Sequence, residues 1–308
     1  MILFIAALFI TLFSVVEAAG VKGSFVYRLS GFSGAVPYNW ARVFVDRERN
    51  ESYVLYQSTI RVFDKNGMEV YSFGDDLNLG AVVDAATEKD GNFLLLTYTY
   101  DAEKIYSIHI VNYRGVPVST ISVKNLPKEL SKFSPNRIIS HKGDIYLASL
   151  NTMQAVVIDS AGNFKESYDF AAILKLDEKD KGDNMLSGFS VDGEGNMLFT
   201  IATLFKAYVI TPDRKAVSFG RAGGAPGRFA VVAGIISDDK GHYLVVDKLK
   251  CVVSVYDKDF NFIQEFGFRG EKPGNLIAPD EIVIDGADRI YVTQSRGRGV
   301  NVYRLDYQ

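Results

Sequence analysis

Short apolar runs separated by turn residues recur along the whole chain. The clearest unit extends from Phe219 to Tyr256. It contains a connection rich in glycine, an apolar strand, a tight turn at 238–241 and two further strands. The same pattern returns 47 residues later, from Phe266 to Tyr303. A period of this size, made only of short strands and turns, is typical of repeat architectures.

The second strand of each unit is the easiest to recognise, since most of these strands follow a glycine turn that favours a tight hairpin. The predicted second strands are 53–56, 93–96, 145–147, 197–199, 243–245 and 290–292. Third strands follow at 60–63, 107–110, 155–158, 207–210, 252–256 and 300–303. Fourth strands follow at 68–73, 116–123, 164–170, 216–219 and 260–266. The pattern therefore predicts six repeats, the last of which lacks its fourth strand.

The missing strand is expected at the other end of the chain. The composition of residues 24–29 is typical of a strand, and the glycine, proline and aromatic residues after them repeat the spacing of residues 220–229. A ring closed by its own first strand leaves no free sheet edge between its ends. We therefore predict an all-β, six-bladed β-propeller of four-stranded antiparallel blades. It forms a single domain over residues 24–308, and the N-terminal strand completes the last blade.

The first 18 residues are predicted to be a secretory signal peptide, because an apolar run ends in small residues around Ala18. Export would place the protein in the periplasm or outside the cell. No Lys or Arg precedes the apolar core, so the true start lies upstream or the usual basic start is missing. An uncleaved N-terminal anchor is the alternative, although a spanning helix needs ~20 apolar residues. With the leader cleaved, we expect no stable membrane span.

Charge and cysteine content narrow the classes of function and of stabilising bonds that the protein can have. The formal net charge of −3 argues against a nucleic-acid partner, which would require a broadly basic surface. The single cysteine, Cys251, excludes an internal disulfide, so an exported monomer would depend on its apolar core. With 47% hydrophobic residues, the chain can bury a large one.

The unit Phe-Gly-x-x-Gly-x-x-Pro-Gly-x-Phe, followed by an apolar strand, Asp, a turn glycine, Tyr-x-Val and Val-x-Val-Tyr-Asp, resembles the NHL repeat. The resemblance is close over 219–303, recognisable over 25–73 and weak over 80–213. It implies a six-bladed propeller that is frequently exported in bacteria and most often serves as a protein-binding scaffold. Related six-bladed lactonases and esterases hold calcium at the axis with acidic and amide side chains. Because the fold also carries enzymes, it does not by itself decide the function.

Binding is expected on the face that carries the outer-to-inner connections and the loops between second and third strands, around the channel mouth. The residues predicted to line this mouth are Asn39, Trp40, Asn136, Arg137, Asp280 and Glu281. The oxygen atoms of Asn39, Asn136, Asp280 and Glu281 are of the kind that calcium accepts. Polar residues at strand starts also serve as turn formers, and Trp40 occupies a packing position of the repeat. The three histidines fall on different blades, so a histidine-bound zinc is not expected.

Basic residues form a second group of candidates on the same face. Lys248, Lys250, Arg296 and Arg298 lie on predicted loops of blades five and six, whereas Asp101 and Glu103 lie on blade two. Such an asymmetry could steer a charged partner, or the loops could be charged only for solubility. We expect a non-enzymatic scaffold, without a cofactor, for a protein or cell-envelope partner. A calcium-dependent hydrolase, lactonase or lyase is the alternative.

Overall fold

The computed structural model describes residues 20–31, 34–35, 41–74, 77–88, 90–101 and 103–307. The predicted leader, residues 1–18, lies outside the described residues, as do Asn39 and Trp40. Within the described part of the chain, no helix is long and apolar enough to cross a membrane.

The described residues form six four-stranded antiparallel sheets and one short hairpin. The described part of the chain begins with β1 (Val21–Arg28), followed by the short strands β2 (Ser30–Gly31) and β3 (Gly34–Ala35). The first blade contains β4 (Arg42–Asp46), β5 (Glu51–Tyr56), β6 (Thr59–Phe63) and β7 (Glu69–Phe73). The second contains β8 (Ala81–Thr87), β9 (Phe93–Asp101), β10 (Glu103–Val111) and β11 (Pro117–Ile121). The third contains β12 (Arg137–His141), β13 (Asp144–Ser149), β14 (Gln154–Asp159) and β15 (Phe164–Asp169).

The second half of the ring repeats the arrangement. The fourth blade contains β16 (Gly188–Val191), β17 (Met197–Ile201), β18 (Lys206–Ile210) and β19 (Ala216–Phe219). The fifth contains β20 (Val232–Ser237), β21 (Tyr243–Asp247), β22 (Val252–Tyr256) and β23 (Phe262–Phe266). The sixth contains β24 (Pro279–Ile284), β25 (Arg289–Gln294) and β26 (Val300–Tyr307), with β1 as its outer strand. Short helices lie in loops: α1 (Phe170–Ile173), α2 (Glu178–Asp183) and single 3₁₀ turns at Lys128–Leu130 and Ala202–Leu204.

The first strand of each blade is innermost, and each inner strand contacts the inner strands of both neighbouring blades around a closed ring. Separate apolar clusters fill the interfaces between adjacent blades. A middle strand such as β17 is therefore buried on both faces. This explains why the second and third strands read as nearly continuous apolar runs.

The N-terminal strand closes the ring, as the sequence predicts. Strand β1 pairs antiparallel with β26, and Phe25 stands opposite Tyr303. Beyond the pairing, the Leu29 amide donates a hydrogen bond of 3.0 Å to the Val300 carbonyl. Leu29 itself is fully buried in the cluster between blades six and one. The six-bladed architecture and its closure are thus confirmed.

The glycine-rich connections are shaped by close packing. A Cβ atom added to Gly220, which has a φ of +88°, would lie 2.0 Å from the Phe229 ring. Phe229 is fully buried between blades four and five, and the connection folds over it. Glycine is therefore needed both for the positive φ and for the close approach.

Replacement of Leu29 by alanine tests the closure. We expect Leu29→Ala to lower the free energy of unfolding by about 2–5 kcal/mol, because it leaves a cavity at the seam of the ring. The matched control is Val26→Ala on the preceding strand β1, where the side chain is 47% exposed. This control should change the free energy by less than about 0.5 kcal/mol. Equal, small losses in denaturant titrations of both variants would contradict a closure that depends on β1.

Candidate functional site

The two faces of the ring differ in the loops that they carry. Inner strands run from the upper face, which holds the outer-to-inner connections and the second-to-third-strand loops, to the lower face. The lower face holds the turns between first and second strands and those between third and fourth strands. The predicted site residues belong to the upper face.

Four charged side chains meet near the upper end of the axis and form the axial ion cluster: Arg42, Asp84, Arg137 and Glu281. The Arg42 guanidinium binds both Asp84 carboxylate oxygens, at 2.9 and 3.2 Å, and also pairs with Glu281. Arg137 binds the other Glu281 oxygen at 3.0 Å. Since β4, β8, β12 and β24 each supply one residue, the cluster joins four of the six blades across the axis.

Irregularities in the inner strands place the two carboxylates of the cluster. The register of β8 shifts just before Asp84, and that of β24 shifts between Pro279 and Ile282, around Glu281. Such bulges redirect side chains. Backbone contacts then hold the positions: the Ile138 amide donates to Asp84 at 2.9 Å, and the Glu281 amide donates to the Thr293 hydroxyl at 3.0 Å.

The axial ion cluster is electrostatically balanced, with two carboxylates facing two guanidinium groups. Burial by itself would raise the pKa of Glu281, but attraction from Arg42 and Arg137 outweighs it and holds that pKa below its ordinary value. Burial likewise opposes the charge of Arg42, yet Asp84 and Glu281 raise the pKa of its guanidinium. The pKa of Arg137 is lowered by its burial and by the nearby positive charge of Arg42. Glu281 is thus a stable anion and a weak proton acceptor.

A cavity of about 230 Å³ lies on the lower side of the axial ion cluster. It begins at Arg42 and Glu281, is walled by the inner strands and reaches exposed residues of the lower face. There Arg47 of blade one and Asp239 of the turn in blade five form an ion pair of 3.3 Å across its rim. The axis is therefore occupied by charged side chains near its upper end and offers space toward the lower face.

The structure brings together only some of the channel residues that the sequence suggests. Arg137 and Glu281 belong to the axial ion cluster, whereas Asp280 pairs with Lys248 at 2.5 Å. The Asn136 side-chain oxygen accepts a hydrogen bond of 3.0 Å from the Leu150 amide and so stabilises the loop at Leu150. Of the residues proposed as calcium ligands, Asn136, Asp280 and Glu281 are described, and each has an oxygen atom paired with a protein group. Within the described residues, no group of three or more His, Cys, Asp or Glu side chains is arranged to hold a metal ion.

Several basic residues of blades five and six stabilise loops. The Lys250 ammonium binds the carbonyls of Ala225 and Arg228, each at 3.1 Å, and the Glu265 carboxylate at 2.6 Å. Arg298 donates to the Glu271 carbonyl at 2.9 Å. Arg296, in contrast, is exposed. The predicted basic residues therefore divide into side chains that hold the loops and side chains that face solvent.

Sequence reasoning missed Arg42 and Asp84. Asp84 is the one charged residue in the otherwise apolar or small stretch 81–87. A lone carboxylate in an inner strand requires a partner, because a buried unpaired charge is very costly. This signal could have identified Asp84, but its partner, 42 residues earlier in the chain, follows only from the packing of blade one against blade two.

The upper face also presents large apolar side chains to solvent. On this face, the described residues with such side chains more than half exposed are Tyr100 (74%), Ile105 (53%), Met185 (56%), Leu249 (56%) and Phe268 (57%). Tyr100 and Ile105 lie on the hairpin of β9 and β10, whose strands of nine residues are longer than predicted. Four further side chains of this kind, Val70, Tyr113, Val116 and Val118, lie outside the upper face. Patches of large exposed apolar groups are candidates for interaction surfaces.

Solved structures of other proteins share this architecture. The chain matches no family model and no curated protein sequence. A structural genomics protein of unknown function from Bacteroides thetaiotaomicron superimposes with a TM-score of 0.65 at 14% identity, over 94% of this chain and 76% of that one. An auxiliary nutrient binding protein from Bacteroides ovatus gives 0.62 at 12% identity, over 94% and 77%. A streptogramin B lyase gives 0.55 at 10% identity, over 94% and 98%. At these identities the likeness shows the propeller fold alone.

Removal of one carboxylate tests whether the axial ion cluster stabilises the fold. We expect Glu281→Gln to lower the free energy of unfolding by about 3 kcal/mol, because it leaves two buried guanidinium groups with one carboxylate between them. Asp239→Asn, which breaks an exposed ion pair, should cost less than about 0.5 kcal/mol. Denaturant unfolding measures both values, and a similar small loss for both variants would mean that the cluster does not stabilise the fold.

The lowered pKa of Glu281 predicts an acid dependence. Its contribution to stability is complete above the unfolded-state value of about 4.3 and is lost as pH falls through the lower, folded-state pKa. The difference in unfolding free energy between wild type and Glu281→Gln should therefore be largest near neutral pH and should narrow on acidification. Urea titrations over a pH series measure it. A difference that stays constant into the acid range would refute the assignment.

Proposed function

We propose that the protein is an exported, non-enzymatic propeller of the NHL-repeat type that binds a protein or cell-envelope component through its upper face. The observation that carries this proposal is the group of large apolar side chains, more than half exposed, on the loops of that face. A rigid ring presents these loops without a need to order them on binding, which lowers the entropic cost of association.

The axial ion cluster favours binding over hydrolysis. A calcium ion at Glu281 would have to displace Arg42 and Arg137, each of which already neutralises one carboxylate oxygen. General acid–base catalysis is most efficient when the pKa of the group lies near the working pH, whereas the pKa of Glu281 is shifted downward, away from neutrality. The calcium-dependent hydrolase, lactonase or lyase alternative thus has weak support from the geometry.

Other features support parts of the proposal. The leader favours export to the periplasm or the exterior, and the net charge of −3 disfavours nucleic acid. Among the proteins of similar fold, one is a nutrient binding protein and another a lyase, so both classes occur on this architecture. The NHL repeat pattern favours the binding class. We further propose that the protein acts as a monomer without a cofactor.

A serine variant of the upper face tests the proposal. Replacement of Tyr100, Ile105, Leu249 and Phe268 by serine should weaken binding to cell-envelope fractions at least about tenfold, since central interface residues contribute more than about 1 kcal/mol each. The control is Tyr113→Ser combined with Val118→Ser, which removes exposed apolar groups away from the upper face. Quantitative retention of envelope material on immobilised protein is the measurement. Equal retention by wild type and the upper-face variant would overturn the proposal.

The enzymatic alternative has its own test. Metal analysis of the purified protein, followed by a screen of lactones and esters, should show neither stoichiometric calcium nor turnover. Calcium at unit stoichiometry together with turnover that a chelator abolishes would replace the scaffold proposal by the hydrolase.

A further inference from the structure

Four adjacent loops of blades five and six form a basic patch on the upper face: residues 220–231, 248–251, 267–278 and 295–299. The structure describes all of these residues. They contain Arg221, Arg228, Lys248, Lys250, Arg269, Lys272, Arg296 and Arg298. Lys248 and Lys250 are compensated by Asp280 and Glu265. The four loops contain only one acidic residue, Glu271, beside the other six cations. Glu271 forms no ion pair with any of these cations. The patch therefore carries a strong positive charge in a protein that is negative overall.

Two exposed apolar side chains lie within the basic patch. Leu249 stands at the tip of one loop and Phe268 lies on the next, each more than half exposed. They belong to the same surface, because Arg269, which directly follows Phe268, donates a hydrogen bond to the Leu249 carbonyl. The lysines on either side of Leu249 form ion pairs with Asp280 and Glu265, so their charges are compensated beside the exposed apolar side chain.

The loops of the patch are held in place before any ligand arrives. Lys250 binds two carbonyls of the connection 220–231, and Arg298 binds a carbonyl of the connection 267–278. Arg269 and Arg298 donate to uncharged carbonyls, so these contacts orient their guanidinium groups without neutralising them. A preorganised surface loses little entropy when it binds.

A surface of this kind is complementary to a lipid bilayer with anionic headgroups. Cations attract the headgroups, while a few projecting apolar side chains enter the boundary between headgroups and acyl chains. A protein partner would require a larger, well-packed apolar centre than two side chains provide. The segment 177–183, on the connection between blades three and four, contains four acidic residues and two lysines, so the charge distribution favours contact through blades five and six.

We propose that the basic patch attaches the protein peripherally to anionic lipid, with Leu249 and Phe268 inserted at the interface. This inference rests on the proposed function, because it identifies the envelope component bound by the upper face. Strand β1 runs from the lower to the upper face, so its first residue, Val21, lies on the side opposite the patch.

Vesicle flotation tests the proposal with the full chain expressed in a secreting host, and mass spectrometry records whether the leader remains. Wild type should float with phosphatidylcholine–phosphatidylglycerol vesicles and not with pure phosphatidylcholine vesicles, and salt should weaken the binding. Arg221→Gln combined with Lys272→Gln should lower the partition coefficient roughly fivefold for each cation removed. Leu249→Ser combined with Phe268→Ser should abolish the fraction that remains bound at high salt.

The matched control is Lys128→Gln combined with Lys132→Gln, which removes two exposed cations from the same face outside the patch. It should leave flotation unchanged, and thermal unfolding should confirm that all variants are folded. Binding to neither kind of vesicle, equal binding to both, or an equal loss in the control would overturn the lipid proposal. If vesicles are not bound while envelope proteins are still retained, the lipid inference fails and the proposed function stands. Failure of both assays overturns both.

Discussion

The structure depends on the pairing of β1 with β26. The two strands come from opposite ends of the chain, and the Ser24 hydroxyl reaches the Asp306 carboxylate at 2.6 Å across 282 residues of sequence. Without this pairing, the sixth blade would have three strands and an unprotected edge. The axial ion cluster requires the same closure, because Arg42 lies on the first blade and Glu281 on the sixth.

Charged side chains occupy the axis of the ring near its upper end. Buried ion pairs recover little more than their desolvation cost, so the axial ion cluster is better explained by what it fixes than by net stability. It joins four inner strands and occupies the axis near its upper end with oppositely charged side chains that pair with one another. The space that remains extends toward the lower face. Among the described residues, the upper face therefore presents loops, and not an open axial pocket, to solvent.

Basic side chains of blades five and six have two different roles, which the sequence alone does not distinguish. Lys248, Lys250 and Arg298 bind carboxylates or carbonyls of the scaffold and set the positions of the loops. Arg221, Lys272 and Arg296 are exposed and create the positive surface. The first group makes the second effective, because a charged surface on rigid loops loses less entropy when it binds than one on mobile loops.

The strands, their order and the closure could be derived from the sequence, because alternation, glycine turns and a repeating period are local properties. Even the position of β1 followed from a missing fourth strand at the other end. The candidate site could be predicted from the sequence only in part. Strand bulges turn Asp84 and Glu281 toward the axis, and the acceptors of Lys250 lie on a different loop. These contacts join residues that are distant in the chain, so only the packing of complete blades around a closed ring decides them.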